Sequence, residues 1–510
     1  MAAIKQLAGQ TLWYGVSNIG ARLLNYALTP LLTHLMDDPS GLKDYGNYSL
    51  IYSWIAVMNI IFTYGFETGF FRFSNKPGTN RRDLFDSTFG SLIISTIGLV
   101  VVLAFFRVPI NNFLALGHQP RYIVWCLLLI AFDTLSAIPF ARLRQENKPR
   151  KYAFIKLSGI VVNIALTVFF LVYMPRINAA HPNGWLATFA KNNNRVGLLI
   201  MANLLQNIFV FLMLAGEWKH FRPKINTALW KQIFAYSAPM IVIGLAGMVN
   251  EVMDRQMLAH FLPLTDAESK RLVGVYSANY KLAIFITLFI QAFKMAAEPF
   301  FFNQAADRNA PQLYARVMKW FVITLCVAFL FSALYLDVWQ YFIGSNYRWA
   351  RGIVPVLLLA NVCLGIYYNL SVWYKITDRM RMGLYITLFG ALITLVGNYF
   401  FIPAWGIYAS AWTTLVCYAG MTVATYFVGR KYFPVPYPVK KILSYLTMVL
   451  LLFALKCGID WLTKGMASTG LQIGIRFTAA SGLMLLFVLL VVKVEKSELQ
   501  KMPVIGKYVR

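Results

Sequence analysis

Charge is scarce in this chain, and negative charge scarcer still. Only 13% of its 510 residues are charged, and 20 Asp and Glu stand against 47 Lys and Arg. Ordinary soluble domains carry roughly a quarter charged residues, so water is excluded as the main solvent of this fold. The five cysteines, Cys126, Cys326, Cys363, Cys417 and Cys457, all fall in apolar stretches. They have neither the close spacing of a zinc site nor the loop placement of a disulfide framework, and read as small core residues. No Gly-rich segment ends in Lys and Ser or Thr, which excludes a phosphate-cradling nucleotide loop. No connecting segment exceeds about 20 residues, leaving no room for a separate soluble catalytic or ATP-binding domain. Cofactors are therefore not expected, and energy for any transport comes from an ion gradient, the membrane potential or the substrate's own gradient.

What is abundant is hydrocarbon, at 59% of residues. About fourteen stretches of about 20 apolar residues follow one another from Leu12 to Val492, each long enough to cross a hydrocarbon layer roughly 30 Å thick at 1.5 Å per residue. The first runs over Leu12–Leu35, the seventh over Phe234–Leu258 and the fourteenth over Ile473–Val492; the break at Phe401 to Gly406 permits a bent hairpin. The expected fold class is an all-α polytopic membrane protein with about fourteen transmembrane helices.

Basic residues in short loops stay on the cytoplasmic side during insertion. With the N-terminus inside, the inner segments carry about three basic residues for each one in the outer loops. Arg142, Arg144, Lys148, Arg150 and Lys151 form the densest inner loop, while Asp37, Asp38 and Asp44 occupy the first outer one. Both termini are thus expected in the cytoplasm. The net charge of +27 is spread over every inner loop, which fits topology and anionic lipid headgroups and not nucleic acid. Lys5 alone precedes the first span, which lacks a small-residue cleavage site and reads as a retained helix.

The two halves repeat one another faintly. Leu31-Leu32-Thr33-His34 returns as Met257-Leu258-Ala259-His260, and Gly46-Asn47-Tyr48-Ser49 as Gly274-Val275-Tyr276-Ser277. Glu67 with Phe70-Phe71 likewise parallels Glu298 with Phe300-Phe301-Phe302. Spans one and seven run the same way, so this is a parallel repeat of six helices, with a substrate site expected between the bundles near mid-membrane.

Intramembrane charges point to what is carried, because they are costly in lipid and normally face a cavity. Arg22 lies mid-way along the first span with Asn18, Asn25 and Thr29 at helical spacing; a hydrated wall and a helix-packing Arg both fit. Asp133 sits in the fourth span, and Glu251, Asp254 and Arg255 crowd the seventh. Glu251 and Arg255 stand four apart, which suits an internal ion pair as well as a transport role. Lys281, Gln291, Lys294 and Glu298 mark the eighth span, where snorkelling lysines are the alternative. Arg22, Arg255, Lys281 and Lys294, with Asn25, would line the cavity for an anion such as a pyrophosphate; Asp133, Glu251, Asp254 and Glu298 would serve coupling or gating. Pro30, Pro139, Pro239, Pro299 and Pro355 are expected bending points.

Ser237-Ala238-Pro239, Asp254-Arg255, Gly274-Val275-Tyr276-Ser277-Ala278, Lys281-Leu282, Gln291-Ala292-Phe293 and Pro299-Phe300-Phe301 resemble the polysaccharide transporter family, the Wzx-type flippases of lipid-linked oligosaccharides. The basic Arg142 to Lys151 loop and the polar first helix are similar too. The resemblance implies the fold of the multidrug/oligosaccharidyl-lipid/polysaccharide (MOP) superfamily: a lobe at 1–218, a second at 219–430 and two added helices with a cytoplasmic tail at 431–510. It implies an undecaprenyl-pyrophosphate-linked glycan as substrate, membrane lipids and polysaccharide polymerase machinery as partners, and a bacterial cytoplasmic (inner) membrane as location. A coupling ion, H+ or Na+, is compatible with it. A MurJ-like lipid II flippase, a multidrug cation antiporter and, with Asp37 and Asp38 as acids, an integral-membrane glycosyltransferase or polymerase are the other readings.

The charge asymmetry makes a topological prediction. Cysteines placed in the Arg142 to Lys151 loop, beside Arg379 and in the C-terminal tail should react with impermeant reagent only from the cytoplasmic side; outward labelling of any two would overturn the assignment.

Overall fold

The computed structural model describes residues 20, 22–24, 26–114, 119–304, 307–464 and 469–500. Residues 26–35 are helical, and the rest of the first expected span lies mostly outside the described residues. Among the described residues there is no strand, as hydrocarbon requires of a chain without a closed barrel: only a helix satisfies every backbone group within its own segment. Eleven helices among the described residues are long and apolar enough to cross a membrane, or thirteen when each of two bent pairs counts as one span. These correspond in order to the second through fourteenth expected spans.

The bent pairs are the second span of each half. Helices α1 (Pro39–Thr63) and α2 (Phe66–Ser74) meet at 41°. Between them Tyr64 and Gly65 take φ of 34° and 74°, and a Cβ on Gly65 would lie 3.1 Å from the Ser237 carbonyl. The helix pair that follows the seventh span in the second half breaks by 49° around Ile284. The breaks thus fall at a left-handed Tyr-Gly step and at Ile284. Pro139 and Pro239, expected as bending points, are carried inside continuous helices.

Two compact units result: Met1–Ser277 with Thr387–Ser410, and Ala278–Ile386 with Ala411–Arg510. In the first, α3 (Arg81–Phe105), α5 (Arg121–Gln145) and α7 (Arg195–Met213) pack around α1, α6 (Pro149–Val168) packs on α5 and α7, and the short α4 (Arg107–Phe113) links α3 to α5. α8 (Thr227–Phe261) and the start of α9 (Asp266–Ala283) close this unit. Helix starts are fixed by side chains that accept the orphan N–H groups. Asp38 accepts from Gly41 N at 2.8 Å, and Asn80, Asn194 and Asn226 cap α3, α7 and α8 in the same way. Hydrogen bonds from Ser40 and Arg195 hold the Asp38 carboxyl well below the usual carboxylate range. Aromatic packing fills the end that carries the basic loops, where Phe66, Phe70, Phe85 and Phe89 are buried with Ile138.

In the second unit α10 (Phe285–Gln304), α12 (Val354–Leu370), α15 (Val439–Leu462) and α16 (Thr469–Val494) surround α11 (Ala310–Leu334); of the two helices between α12 and α15, α13 (Met380–Trp405) falls mostly in the first unit and α14 (Ile407–Tyr432) mostly in the second. Ionic networks pin the last two helices to α11 at both ends. At one, the buried Lys319 ammonium donates to Glu495 at 2.6 Å and pairs with Glu498 at 2.7 Å, while Lys441 and the Tyr445 hydroxyl also reach Glu495. At the other, Lys456 lies 2.6 Å from Asp460 and 3.4 Å from Asp337, with Arg476 and Arg351 completing the set. Burial alone would disfavour an ionised Glu495, but the bonds from Lys319, Lys441 and Tyr445 outweigh it and hold its carboxyl below the ordinary value.

Removing one partner of a buried pair strands the other charge, at about 3–5 kcal/mol. We predict that Lys319→Met lowers the thermal stability of the detergent-solubilised protein sharply and that Lys319→Met with Glu495→Leu recovers most of it. Because the folded carboxyl titrates below its unfolded value, Glu495 stabilises above about pH 4.3 and that contribution is lost on acidification. A Lys319→Met variant as stable as the parent would remove the network from the account.

Candidate functional site

At the end of the first unit opposite its basic loops, α1 and α9 touch backbone to backbone. A Cβ on Gly46 would lie 1.9 Å from the Lys270 carbonyl oxygen, and one on Gly274 would lie 2.2 Å from that of Leu42. Only glycine fits either position, so the repeat-related glycines form a reciprocal contact of the small-residue kind that lets membrane helices approach closely. Cross-helix bonds flank it: Arg271 donates to the Pro39 carbonyl at 3.1 Å, and the Gln256 amide of α8 donates to the Leu50 carbonyl at 2.8 Å. The contact is a seal between helices, with no side chain interposed.

Polar groups are buried behind it. Asp254, 2% exposed, accepts the Tyr276 hydroxyl at 2.7 Å on one oxygen and, on the other, the Arg255 backbone N–H at 2.8 Å and guanidinium at 3.3 Å. The guanidinium also donates to the Glu251 main-chain carbonyl at 2.9 Å. This corrects the expected Glu251–Arg255 ion pair: Arg255 pairs with Asp254, and Glu251 turns its carboxylate to an exposed position. Spacing along α8 places both acids within reach, but only Asp254 is fixed by a donor from another helix. The buried Asn47 Oδ1, Tyr52 hydroxyl and Ser277 hydroxyl lack a hydrogen-bond partner among the described residues.

The other expected site residues are dispersed. Arg22 is exposed in the first unit; Asn25, like Asn18, lies outside the described residues. Asp133 accepts from the Asn59 amide at 2.5 Å. Lys281 and Lys294, both half-buried, belong to the second unit, where the Lys294 ammonium stands 4.7 Å over the Tyr368 ring. Glu298 lies on α10, with its side chain outside the described set.

The basic loop, read from the sequence as a topology signal, is also a network of ion pairs. Arg142 binds Glu146 at 2.7 Å and the Glu217 carbonyl at 2.8 Å; Lys151 binds the buried Glu217 carboxylate at 2.7 Å; Arg144 pairs with Glu67. Burial works against ionisation of Glu146, but bonds from Lys148 and Arg142 prevail and keep its carboxyl below the ordinary range. Four helix ends are tied by this cluster. Glu67 was visible in the repeat, whereas Glu217, Asn59 and Gln256 gave no signal beyond their polarity.

Comparison with known proteins places these features. A family model described as polysaccharide biosynthesis protein matches residues 7–304. A protein of the Lsg locus of Haemophilus influenzae is 22% identical over 374 residues, covering 71% of this chain and 82% of its own. An inward-facing multidrug resistance MATE family transporter of the MOP superfamily superposes with a TM-score of 0.58 at 14% identity, covering 84% of this chain and 96% of that one. A Vibrio cholerae MATE transporter, VcmN, in its bent form gives 0.50 at 14% identity, covering 86% and 97%. The fold is therefore MATE-like.

Forcing a side chain into the seal would cost about 1–3 kcal/mol as overpacking. With a reporter cysteine at Ser277, Gly46→Val or Gly274→Val should raise its reaction rate with a water-soluble maleimide about tenfold, the equivalent of 1.4 kcal/mol. Unchanged rates in both would show that this contact does not close the end of the unit.

Proposed function

The chain belongs to the polysaccharide biosynthesis protein family, and from that premise we propose that it flips an undecaprenyl-pyrophosphate-linked oligosaccharide from the inner to the outer face of a bacterial cytoplasmic membrane. The fold is shared with MATE family transporters, and the family is described by polysaccharide biosynthesis. The oligosaccharide cannot cross hydrocarbon unaided, because stripping water from many hydroxyls is prohibitive. In this reading the lobes at 1–218 and 219–430 hydrate the head group while the prenyl tail stays in the bilayer. Arg22, Asn25, Arg255, Lys281 and Lys294 meet the pyrophosphate. An inside-negative potential favours outward movement of an anion by about 2.3 kcal/mol per charge per 100 mV; coupling to H+ or Na+ through Asp133, Glu251, Asp254 or Glu298 would add to it.

The observation that carries the reading is the Gly46–Gly274 seal. Its point of contact is main chain against main chain, with only the Arg271 and Gln256 hydrogen bonds beside it, so no interdigitated side chains must be withdrawn there to open it. Opening would also bring the polar side chains of Asn47, next to Gly46 in sequence, and Ser277, a near neighbour of Gly274, toward the cavity. A closure of this kind suits a cavity that alternates between faces.

The test is translocation by the purified protein in vesicles containing defined lipid-linked sugars. Arg22→Gln and Lys281→Gln should each slow flipping about tenfold or more, equivalent to losing roughly one charge-assisted hydrogen bond, without loss of folded protein; Arg22→Lys should keep part of the rate. Parental rates in both Gln variants would refute the cationic site, and movement of lipid II in place of the oligosaccharide would move the reading to the peptidoglycan precursor.

A further inference from the structure

Beside the seal, two cavities of the first unit share a wall of Ile51, Phe113 and Leu114. One, of about 230 Å³, is lined by apolar side chains of α1, α3, α4 and α5, among them Met58, Leu103, Ile110 and Leu127. An apolar cavity of this kind stays dry, so within a bilayer its natural content is hydrocarbon. The other, of about 240 Å³, is bordered by Gln256, His260, Asp266 and Lys270. The pair is an apolar chamber opening beside a polar mouth.

The mouth has a definite polarity. His260 Nδ1 lies 2.8 Å from the Gln256 carbonyl, an acceptor only, so Nδ1 carries the proton and the neutral ring offers Nε2 as an acceptor. Asp266 is exposed and holds the buried Lys270 ammonium at 2.8 Å. Two acceptors therefore face a head group together with one ammonium. We propose that this composite cavity binds a zwitterionic aminophospholipid: its ammonium meets Asp266 and His260 Nε2, its phosphate meets Lys270, and one acyl chain enters the Ile51–Leu127 chamber. A purely anionic phospholipid would supply phosphate but no cation for the two acceptors. Leu50, Gln256 and Lys270 belong both to this mouth and to the seal, so the bound lipid buttresses the closed contact. The proposal rests on the membrane-embedded fold and is independent of which glycan is transported.

Native mass spectrometry of the full chain, exchanged into detergent with equal phosphatidylethanolamine and phosphatidylglycerol, tests it. Retention of one phosphatidylethanolamine is expected, reduced about tenfold by Asp266→Asn, in which Lys270 loses its charged partner and an unchanged melting temperature shows the fold intact, and by Leu127→Trp, which fills the chamber. Equal retention of the two lipids, retention of neither, preference for added polyprenyl phosphate, or undiminished binding in Asp266→Asn would each overturn it. Glycan flipping that fails while phosphatidylethanolamine binding persists would count against the flippase reading alone.

Discussion

α1 and α9 meet main chain against main chain at Gly46 and Gly274. Lipid gives helices no hydrophobic reason to associate, since hydrocarbon is as apolar as leucine, and what remains is packing and hydrogen bonding. Removing two Cβ atoms lets the backbones come close enough for Arg271 to bond the Pro39 carbonyl of α1, beside the bond from Gln256 of α8 to the Leu50 carbonyl. The same approach buries Asp254, Tyr276 and Ser277. A side chain at either glycine would separate the helices and undo all of these contacts together.

Elsewhere the absence of water is met by pairing. Glu217 and Lys319 would be intolerable alone in this environment; one is surrounded by Arg142 and Lys151, the other by Glu495 and Glu498. Such pairs contribute little net stability over apolar replacements, but breaking one is severe. They therefore fix which helix ends stay together. The Lys319 and Lys456 networks hold α15 and α16 to α11 at both ends, making the last two helices part of the second unit and not a loose appendage. The seal is instead a main-chain contact flanked by hydrogen bonds from Arg271 and Gln256, and that difference separates the joints built to stay from the one fit to open.

Helix existence was legible because a span must be about 20 apolar residues long, and the pattern is hard to misread. The repeat was legible too, yet Gly46 and Gly274 stood out only as equivalent positions; their mutual contact is a property of how the second spans pack. Helical spacing gave Glu251 and Arg255 a shared face, but the Tyr276 hydroxyl that selects Asp254 comes from another helix and leaves no trace in that periodicity. The basic loop was read from topology alone, since Glu217, its main acceptor, lies 66 residues from Lys151. The two breaks left no such mark: proline marks where a hydrogen bond is missing, whereas Tyr64 and Gly65 turn the chain through a left-handed conformation.

The central claim is that the seal opens and closes in the course of transport. Spin labels at Lys43 on α1 and Glu268 on α9, measured by pulsed dipolar spectroscopy in lipid nanodiscs, report the separation of the two helices directly. The account predicts a short-distance population without substrate and a second, longer one that grows when the lipid-linked oligosaccharide is added. A single short distance under both conditions, in protein that still transports, would contradict it.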